Sequence, residues 1–529
     1  MSEPKVSYFQ RERAGLVSVA PLRIDSRAVL RFAPLFVVLT VLAWVGTTAA
    51  TSPNQWGDHL EQYVWAHGVE WGYHKHPPLP TWMLAATISL FGPSAWWTYV
   101  LAVCCFVGTA LFTYGVGRRL FGEAVAALAL LLLSLMHAFS SRASLFNHNS
   151  VMLLTVSATA WCVLRALATE RHPFAWWGIA GMAAALAMLS KYQAVVPLAG
   201  IFVGASLAGE LKTGAAKRGA AFALLVATAL LVPHLLWLLS GHGAAIDYAT
   251  QQGRMLSLPA RALNVMSFLA QQLRFMLGPL CLLGVLSILP GSRGSGSFVA
   301  PRRGRAWLFG LVGFPLAVTV LTGPLFGIEL QNHWGYQALQ FATLWLAWRL
   351  RPFIPVASGS WLLAALSVHA VLLGFALTAV DLSIGKATTR MDQQYPAQVL
   401  ADAVLRDWRN DTLCPLNLIV GPTFEAGMVS VYNGGIAKVL EDGDFMKSPW
   451  IQRRDLQRFG AVYVSTDPTK LPHQGVSIVD FLDVSSVSPP PGSRIYWAIA
   501  PPDRCDEARN NELPATTAML RARREAGSE

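Results

Sequence analysis

Eleven mostly apolar stretches run through the first 380 positions of this chain, and they restrict its fold more than any other feature. A helix needs roughly 20 apolar residues to cross a bilayer core, because every backbone polar group must be satisfied inside it. The stretches lie near 30–50, 94–116, 122–140, 149–168, 174–190, 193–209, 217–239, 268–290, 306–323, 335–350 and 358–380. Composition agrees: the 529 residues are 53% hydrophobic and 13% charged, against about 25% charged in soluble proteins. The expected architecture is a polytopic α-helical membrane protein with about eleven transmembrane helices.

Lys and Arg in the short connections set the orientation. Arg23, Arg27 and Arg31 precede the first stretch, and Arg118 and Arg119 end the second. Arg165 and Arg171, then Lys212, Lys217 and Arg218, then Arg293, Arg302, Arg303 and Arg305, then Arg349 and Arg351 follow at alternate connections. These basic segments fall on one side, which is therefore read as cytoplasmic. Residues 1–29 are expected to be a cytoplasmic N-terminal segment, residues 30–381 a transmembrane domain, and residues 51–93 its first external loop. An odd number of spans sends residues 382–529 to the external side. That tail holds 16 Lys and Arg against 18 Asp and Glu, whereas the membrane part holds 25 against 12. The basic membrane part suits anionic lipid. No basic soluble patch suggests nucleic acid.

The tail alternates in pattern. Helical periodicity over Tyr395–Trp408 is followed by β-like runs at Leu416–Val420, Ala461–Ser465 and Arg494–Ala500, so a small α/β domain is expected. Cys414 and Cys505 are its two cysteines and could pair in an oxidising compartment. The other four cysteines sit in apolar runs and read as core residues.

The polar segment from Gly57 to Trp82 carries the chemistry. If Asp58 opens a helix, Asp58, Glu61, Gln62 and Trp65 share one face. Two carboxylates and an amide beside an indole make a surface suited to sugar binding and to taking a proton from a hydroxyl. The alternative is that Asp58 caps the helix and Glu61 is solvated. Trp71, Gly72 and Tyr73 form an aromatic turn, followed by Lys75, His76, Pro77 and Pro78. Leu79 to Phe91 is too short to span and suits an interfacial helix.

Lys75, Arg142, Lys191, Arg254 and Arg274 all fall on the external side, against the usual bias. One such cation is ordinary snorkelling. Several together suggest a bound anion, and a phosphate leaving group fits. His333 and Trp334 lie in a polar loop with Glu329 and Asn332, and Asn147, His148 and Asn149 form another. A divalent metal bound with His76, Glu329 or His74 is possible, although no pair has a recognised ligand spacing.

The order of Asp58, Trp71-Gly72-Tyr73, His76-Pro77-Pro78-Leu79 and Trp82, then GMAAALAMLSKYQAV at 181–195 and His333-Trp334, resembles the polyprenyl-phosphate-dependent glycosyltransferases of the GT-C fold. That superfamily includes the protein mannosyltransferases and the bacterial aminoarabinose transferases of lipid A. The resemblance covers roughly residues 30–350 and looks closest to the transferases acting on lipopolysaccharide core and lipid A. It implies that Asp58 is the catalytic base and that Lys75 and Lys191 meet the lipid-linked phosphate; Arg142 and Arg254, from their place among the external cations, are expected as further phosphate ligands. Glu61, Gln62, Trp71, Tyr73, His76, His148, Tyr192, His333 and Trp334 are the expected substrate-binding residues. Two positions depart from the pattern. His76 stands where aminoarabinose transferases place a Lys before Pro-Pro, and Asn147-His148-Asn149 stands where many relatives carry an acid.

The resulting expectation is a bacterial inner-membrane enzyme with a periplasmic site. Its partners are a polyprenyl-phosphate sugar, a lipid or glycan acceptor and membrane lipid. A protein O-mannosyltransferase and a transporter of lipid-linked substrates are the alternatives. Against transport, the unusual polar groups cluster at one face and no internal repeat is visible.

Overall fold

A computed structural model describes residues 26–169, 172–240, 256–290, 302–351, 359–383, 395–472, 479–483 and 494–502. The chain enters through α1 (Ser26–Thr51), then turns into the short α2 (Gly57–Trp65) and α3 (Leu79–Phe91). It continues through α4 (Trp97–Phe121), α5 (Glu123–Ser134), α6 (His148–Ala168), α7 (Pro173–Ser190), α8 (Val195–Leu207) and α9 (Gly214–Leu239). Further apolar helices cover Arg302–Phe326, Tyr336–Leu350 and Gly359–Ser383. The protein is a polytopic α-helical membrane protein.

Helix stands at all eleven expected stretches, but the helices are not eleven equal spans. Among the described residues, seven are long and apolar enough to cross a bilayer alone. A bent pair, Leu258–Phe275 and Leu277–Ile288 at 51°, passes the same test only when taken together, as a broken span or a re-entrant loop. Its first helix begins inside the expected 240–267 loop. Arg261, Gln271, Gln272 and Arg274 interrupt its apolar run, while Leu258, Leu263, Met266 and Leu273 are exposed.

The 12-residue α5 is the instructive short helix. At 1.5 Å per residue it covers about 18 Å of a core about 30 Å thick. Val125 to Ser134 are all buried, packed against α1, α4 and Tyr336–Leu350. The chain continues as a 3₁₀ turn, His137–Phe139, and irregular backbone up to Asn147. Such backbone is tolerated at membrane depth only where protein or a polar cavity satisfies it. Here it borders the cavities described below. The α7–α8 junction is similar: α7 ends at Ser190, Lys191 is extended, and a 3₁₀ turn at Tyr192–Ala194 leads into α8.

Pro77 and Pro78 stop the loop and start α3, which has the expected bounds. The tail forms a five-stranded sheet in the order β2-β1-β3-β5-β4: β1 Leu418–Gly421, β2 Lys438–Glu441, β3 Ala461–Ser465, β4 Val479–Asp483 and β5 Arg494–Ala500. β1 pairs in parallel with β2 and β3, while β5 pairs antiparallel with β3 and β4. Helix Thr423–Tyr432 crosses from β1 to β2 and packs on α2. This contact sets the tail against the first loop. Cys414 is disulfide-bonded; Cys505, its expected partner, lies outside the described residues. Cys104, Cys105, Cys162 and Cys281 are free.

Candidate active site

Asp58 lies in the first turn of α2, where unpaired backbone N–H groups favour a carboxylate. Its Oδ2 accepts a hydrogen bond from Asn147 Nδ2 at 2.7 Å. Asn147 is also the N-cap of α6: its side-chain oxygen accepts from the N–H groups of Asn149 and Ser150. One amide thus starts a helix and orients the carboxylate. The second Asp58 oxygen makes no hydrogen bond among the described residues, and the side chain is exposed where two cavities meet.

The first cavity, of about 290 Å³, gathers residues from four separate connections. Lys191 donates to Asn149 Oδ1 at 2.8 Å and to His333 Nε2 at 3.1 Å. Burial lowers the Lys191 pKa to about 8, and Asp58 opposes that shift. Lys75 donates to Glu61 Oε2 at 2.6 Å. Burial pushes Glu61 up to about 7 although Lys75 pulls the other way. His76 and His148 stack with ring centroids 3.9 Å apart. Burial, then the charges of Lys191 and Lys75, hold His76 neutral, well below its ordinary range. Burial and Lys191 do the same to His333. Tyr192 and Trp334 complete the wall. The cavity holds two ammonium groups against two carboxylates, Asp58 and a Glu61 of weakened acidity.

Glu61, His76 and His148 place one ligand atom each within 4.8 Å of one another. Two imidazoles and a carboxylate are a zinc-type donor set, and His148 Nε2 is buried without a partner. But Glu61 is already engaged by Lys75, and Lys191 and Lys75 act on both rings. Two ammonium charges at that range oppose a dication. Lys75 already holds the carboxylate that a metal would need.

The tail contributes a residue with no signal in the sequence. Glu441, at the end of β2, is 1% exposed and accepts from Trp65 Nε1 at 3.1 Å. It stands 3.3 Å from His74 Nε2 and 4.0 Å from Lys75 Nζ. Burial would raise its pKa, but the contact with His74 and the charge of Lys75 outweigh it and bring it to about 2. The ionised Glu441 therefore anchors the loop that carries Lys75.

Asp58, Glu61, Lys75, His76, His148, Lys191, Tyr192, His333 and Trp334 come together at one cavity. Other expected residues do not. Gln62 turns to α3, accepting from Thr81 Oγ1 at 2.7 Å, because α2 buries that side against α3. Tyr73 is buried, stacked on Trp65 at 4.9 Å and donating to the Gly68 carbonyl. Trp71 lies edge-on to Trp82, and its carbonyl accepts from His234 Nδ1 of α9 at 2.6 Å. These aromatics shape the loop rather than line the cavity. Arg142 lines the second cavity, which shares Asp58, Asn147, Asn149 and His333 with the first. Arg254 lies outside the described residues.

Residues 75–237 match the family model described as dolichyl-phosphate-mannose-protein mannosyltransferase. Among solved structures, the chain resembles ArnT from Cupriavidus metallidurans bound to undecaprenyl phosphate, at TM-score 0.58 and 14% identity, over 88% of this chain and 97% of that one. The apo form of the same ArnT matches at TM-score 0.49 and 16% identity, with the same coverage. The archaeal oligosaccharyltransferase AglB from Archaeoglobus fulgidus, in complex with an inhibitory peptide and a dolichol-phosphate, matches at TM-score 0.43 and 12% identity, over 82% of this chain and 65% of that one. No curated protein matches the sequence significantly. The likeness to ArnT establishes the fold as GT-C.

Proposed function

We propose that this membrane glycosyltransferase of the GT-C fold moves a sugar from a polyprenyl monophosphate to a hydroxyl of lipid A, lipopolysaccharide core or another envelope glycan. The reading places it in a bacterial inner membrane with the Asp58 face toward the periplasm. The observation that carries it is the meeting of Asp58 with Lys75 and Lys191 at one cavity. The acceptor hydroxyl attacks the anomeric carbon and gives its proton to Asp58. The bond from that carbon to the phosphate oxygen breaks, and the polyprenyl phosphate leaves with the electron pair. Lys75 and Lys191 stabilise the charge gathering on the phosphate. His76, His148, His333, Tyr192 and Trp334 enclose the sugar. The residues supporting this reading come from the first loop, the start of α6, the α7–α8 turn and the loop before Tyr336–Leu350, so binding depends on the assembled bundle.

Asp58→Asn keeps the shape and removes the base. Transfer from a polyprenyl-phosphate sugar in detergent should fall about 10²- to 10⁴-fold. Undiminished turnover would remove Asp58 from the chemistry. The matched family's description supports a protein hydroxyl as a second acceptor class. Mass spectrometry of envelope glycolipids, with glycoprotein blotting, of cells with and without the protein separates the two.

A further inference from the structure

An apolar groove of about 470 Å³ runs along the membrane bundle between α8 and α9, floored by α7 and α6. These two consecutive helices leave the space between them open. α8 turns its small face the other way: a Cβ on Gly200 would collide with the Gly310 carbonyl of the Arg302–Phe326 helix. α9 packs instead on α7, with the Ala223 carbonyl against Gly181. The facing walls carry Ala199 and Ala205 of α8 and Ala220 and Ala227 of α9, over Ala180 and Ala184 of α7. Small residues in lipid normally let helices close on each other. Here they line a gap, and the room they leave suits an inserted hydrocarbon chain.

One mouth of the groove is basic. Leu211, in the turn between α8 and α9, lines it. Lys212 follows in that turn, and Lys217 and Arg218 stand at the start of α9; all three are exposed. The Lys212 side chain lies over Gly209, and Arg218 reaches back over Gly214, so both cations stay at the turn. The turn's own acid, Glu210, faces away and is held by Arg303 and Trp307. None of the three cations has a hydrogen bond or ion pair among the described residues. Thr213 caps α9 by accepting from the Ala216 N–H, which leaves the N–H groups of Gly214 and Ala215 at the positive end of a 26-residue helix. The other end of the groove, at Met188 and Val195, flanks the Lys191 turn. The basic mouth is therefore at the opposite end of the bundle from Asp58.

We propose that this groove holds an anionic phospholipid from the leaflet opposite the Asp58 face, which is the cytoplasmic one on the orientation proposed above. One acyl chain lies between α8 and α9, and the headgroup phosphate sits on Lys212, Lys217 and Arg218. Basic residues at a membrane surface attract anionic lipid, but scattered ones hold no particular molecule. The groove directly beneath these three gives one lipid a seat. The site uses none of the residues assigned to the transfer reaction and stands independently of it.

The test is native mass spectrometry of the purified full chain in detergent. The separate probes are phosphatidylglycerol, phosphatidylethanolamine with the same acyl chains, glycerol 3-phosphate and undecaprenyl phosphate. Phosphatidylglycerol should bind about tenfold or more tightly than phosphatidylethanolamine. Glycerol 3-phosphate should not bind, which tells a lipid from a free phosphate. Lys212→Gln, Lys217→Gln and Arg218→Gln together should weaken phosphatidylglycerol about 10- to 100-fold. They should leave undecaprenyl phosphate within about twofold. Ala227→Phe from α9 and Ala199→Phe from α8 each fill the groove and should abolish phosphatidylglycerol binding. The charge variant lies on an exposed turn, so its result holds even where a filled groove loosens the bundle. Equal binding of the two phospholipids, or phosphatidylglycerol undiminished in the charge variant or in both filled ones, would overturn the proposal. Glycerol 3-phosphate binding as tightly as phosphatidylglycerol would overturn it too, since the groove would then play no part. So would undecaprenyl phosphate that displaces phosphatidylglycerol and is lost from the filled variants, because the groove would then belong to the donor's prenyl chain.

Discussion

Asn147 and Lys191 show how single side chains set the chemistry. Asn147 uses its oxygen for the α6 cap and its nitrogen for Asp58, and only an amide does both. Asn147→Asp should keep the cap, since Asp is an equal capping residue. It puts a second carboxylate against Asp58, and like charges oppose full ionisation of a pair. Losing the donor to Asp58 and gaining a like charge should lower kcat/KM about tenfold or more; an unchanged kcat/KM would detach Asn147 from Asp58. Lys191 gives the pH profile its alkaline limb. With its pKa lowered to about 8, it is charged below that pH and loses its charge as pH rises through it. Turnover should fall above about pH 8. Lys191→Arg stays charged, so it should push that fall upward even if overall activity drops. At this scale Asp58, Lys75 and Lys191 were legible in the sequence, since acids and cations at external loop ends are conspicuous. Gln62 was misplaced there because shared helix periodicity does not say which side of α2 packs on α3.

Close helix packing explains how the elements hold these loops. In lipid, helices associate through small residues that let backbones approach. A Cβ on Gly181 of α7 would collide with the Ala223 carbonyl of α9. Gly181→Ala, ordinarily favourable inside a helix, should here force α7 from α9 and cost about 1–3 kcal/mol. The thermal midpoint in detergent should drop, and binding at Lys191, one residue past the end of α7, should weaken with it. An unchanged midpoint would show that the two helices are not locked at this point. Most helices were legible from their apolar length. The short α5 and the bend after Phe275 were not: an apolar run does not reveal whether lipid or protein surrounds it, and α5 stops early because protein encloses the rest of its path.

In the whole molecule, the tail braces the site. Glu441 joins β2 to Trp65, His74 and Lys75 across more than 360 positions of sequence. Glu441→Ala leaves the buried Trp65 N–H without an acceptor, at a cost of about 1–3 kcal/mol. It also frees the loop that carries Lys75. The variant should lose donor affinity and become protease-sensitive near residues 66–78, whereas Asp58→Asn should lose turnover with that loop still protected. Equal behaviour of the two would mean that the tail is only an appendage. The sequence alone determined that the chain crosses a membrane repeatedly, and where acids and cations leave it. Those properties follow from local composition and from the cost of an unsatisfied backbone in lipid. The tertiary structure alone decided which loop ends share a cavity, that Asp58 faces two of them, and that a tail carboxylate anchors the first loop. Each of these is a contact between residues far apart in the chain, set by how helices of unequal length pack, and no local pattern encodes it.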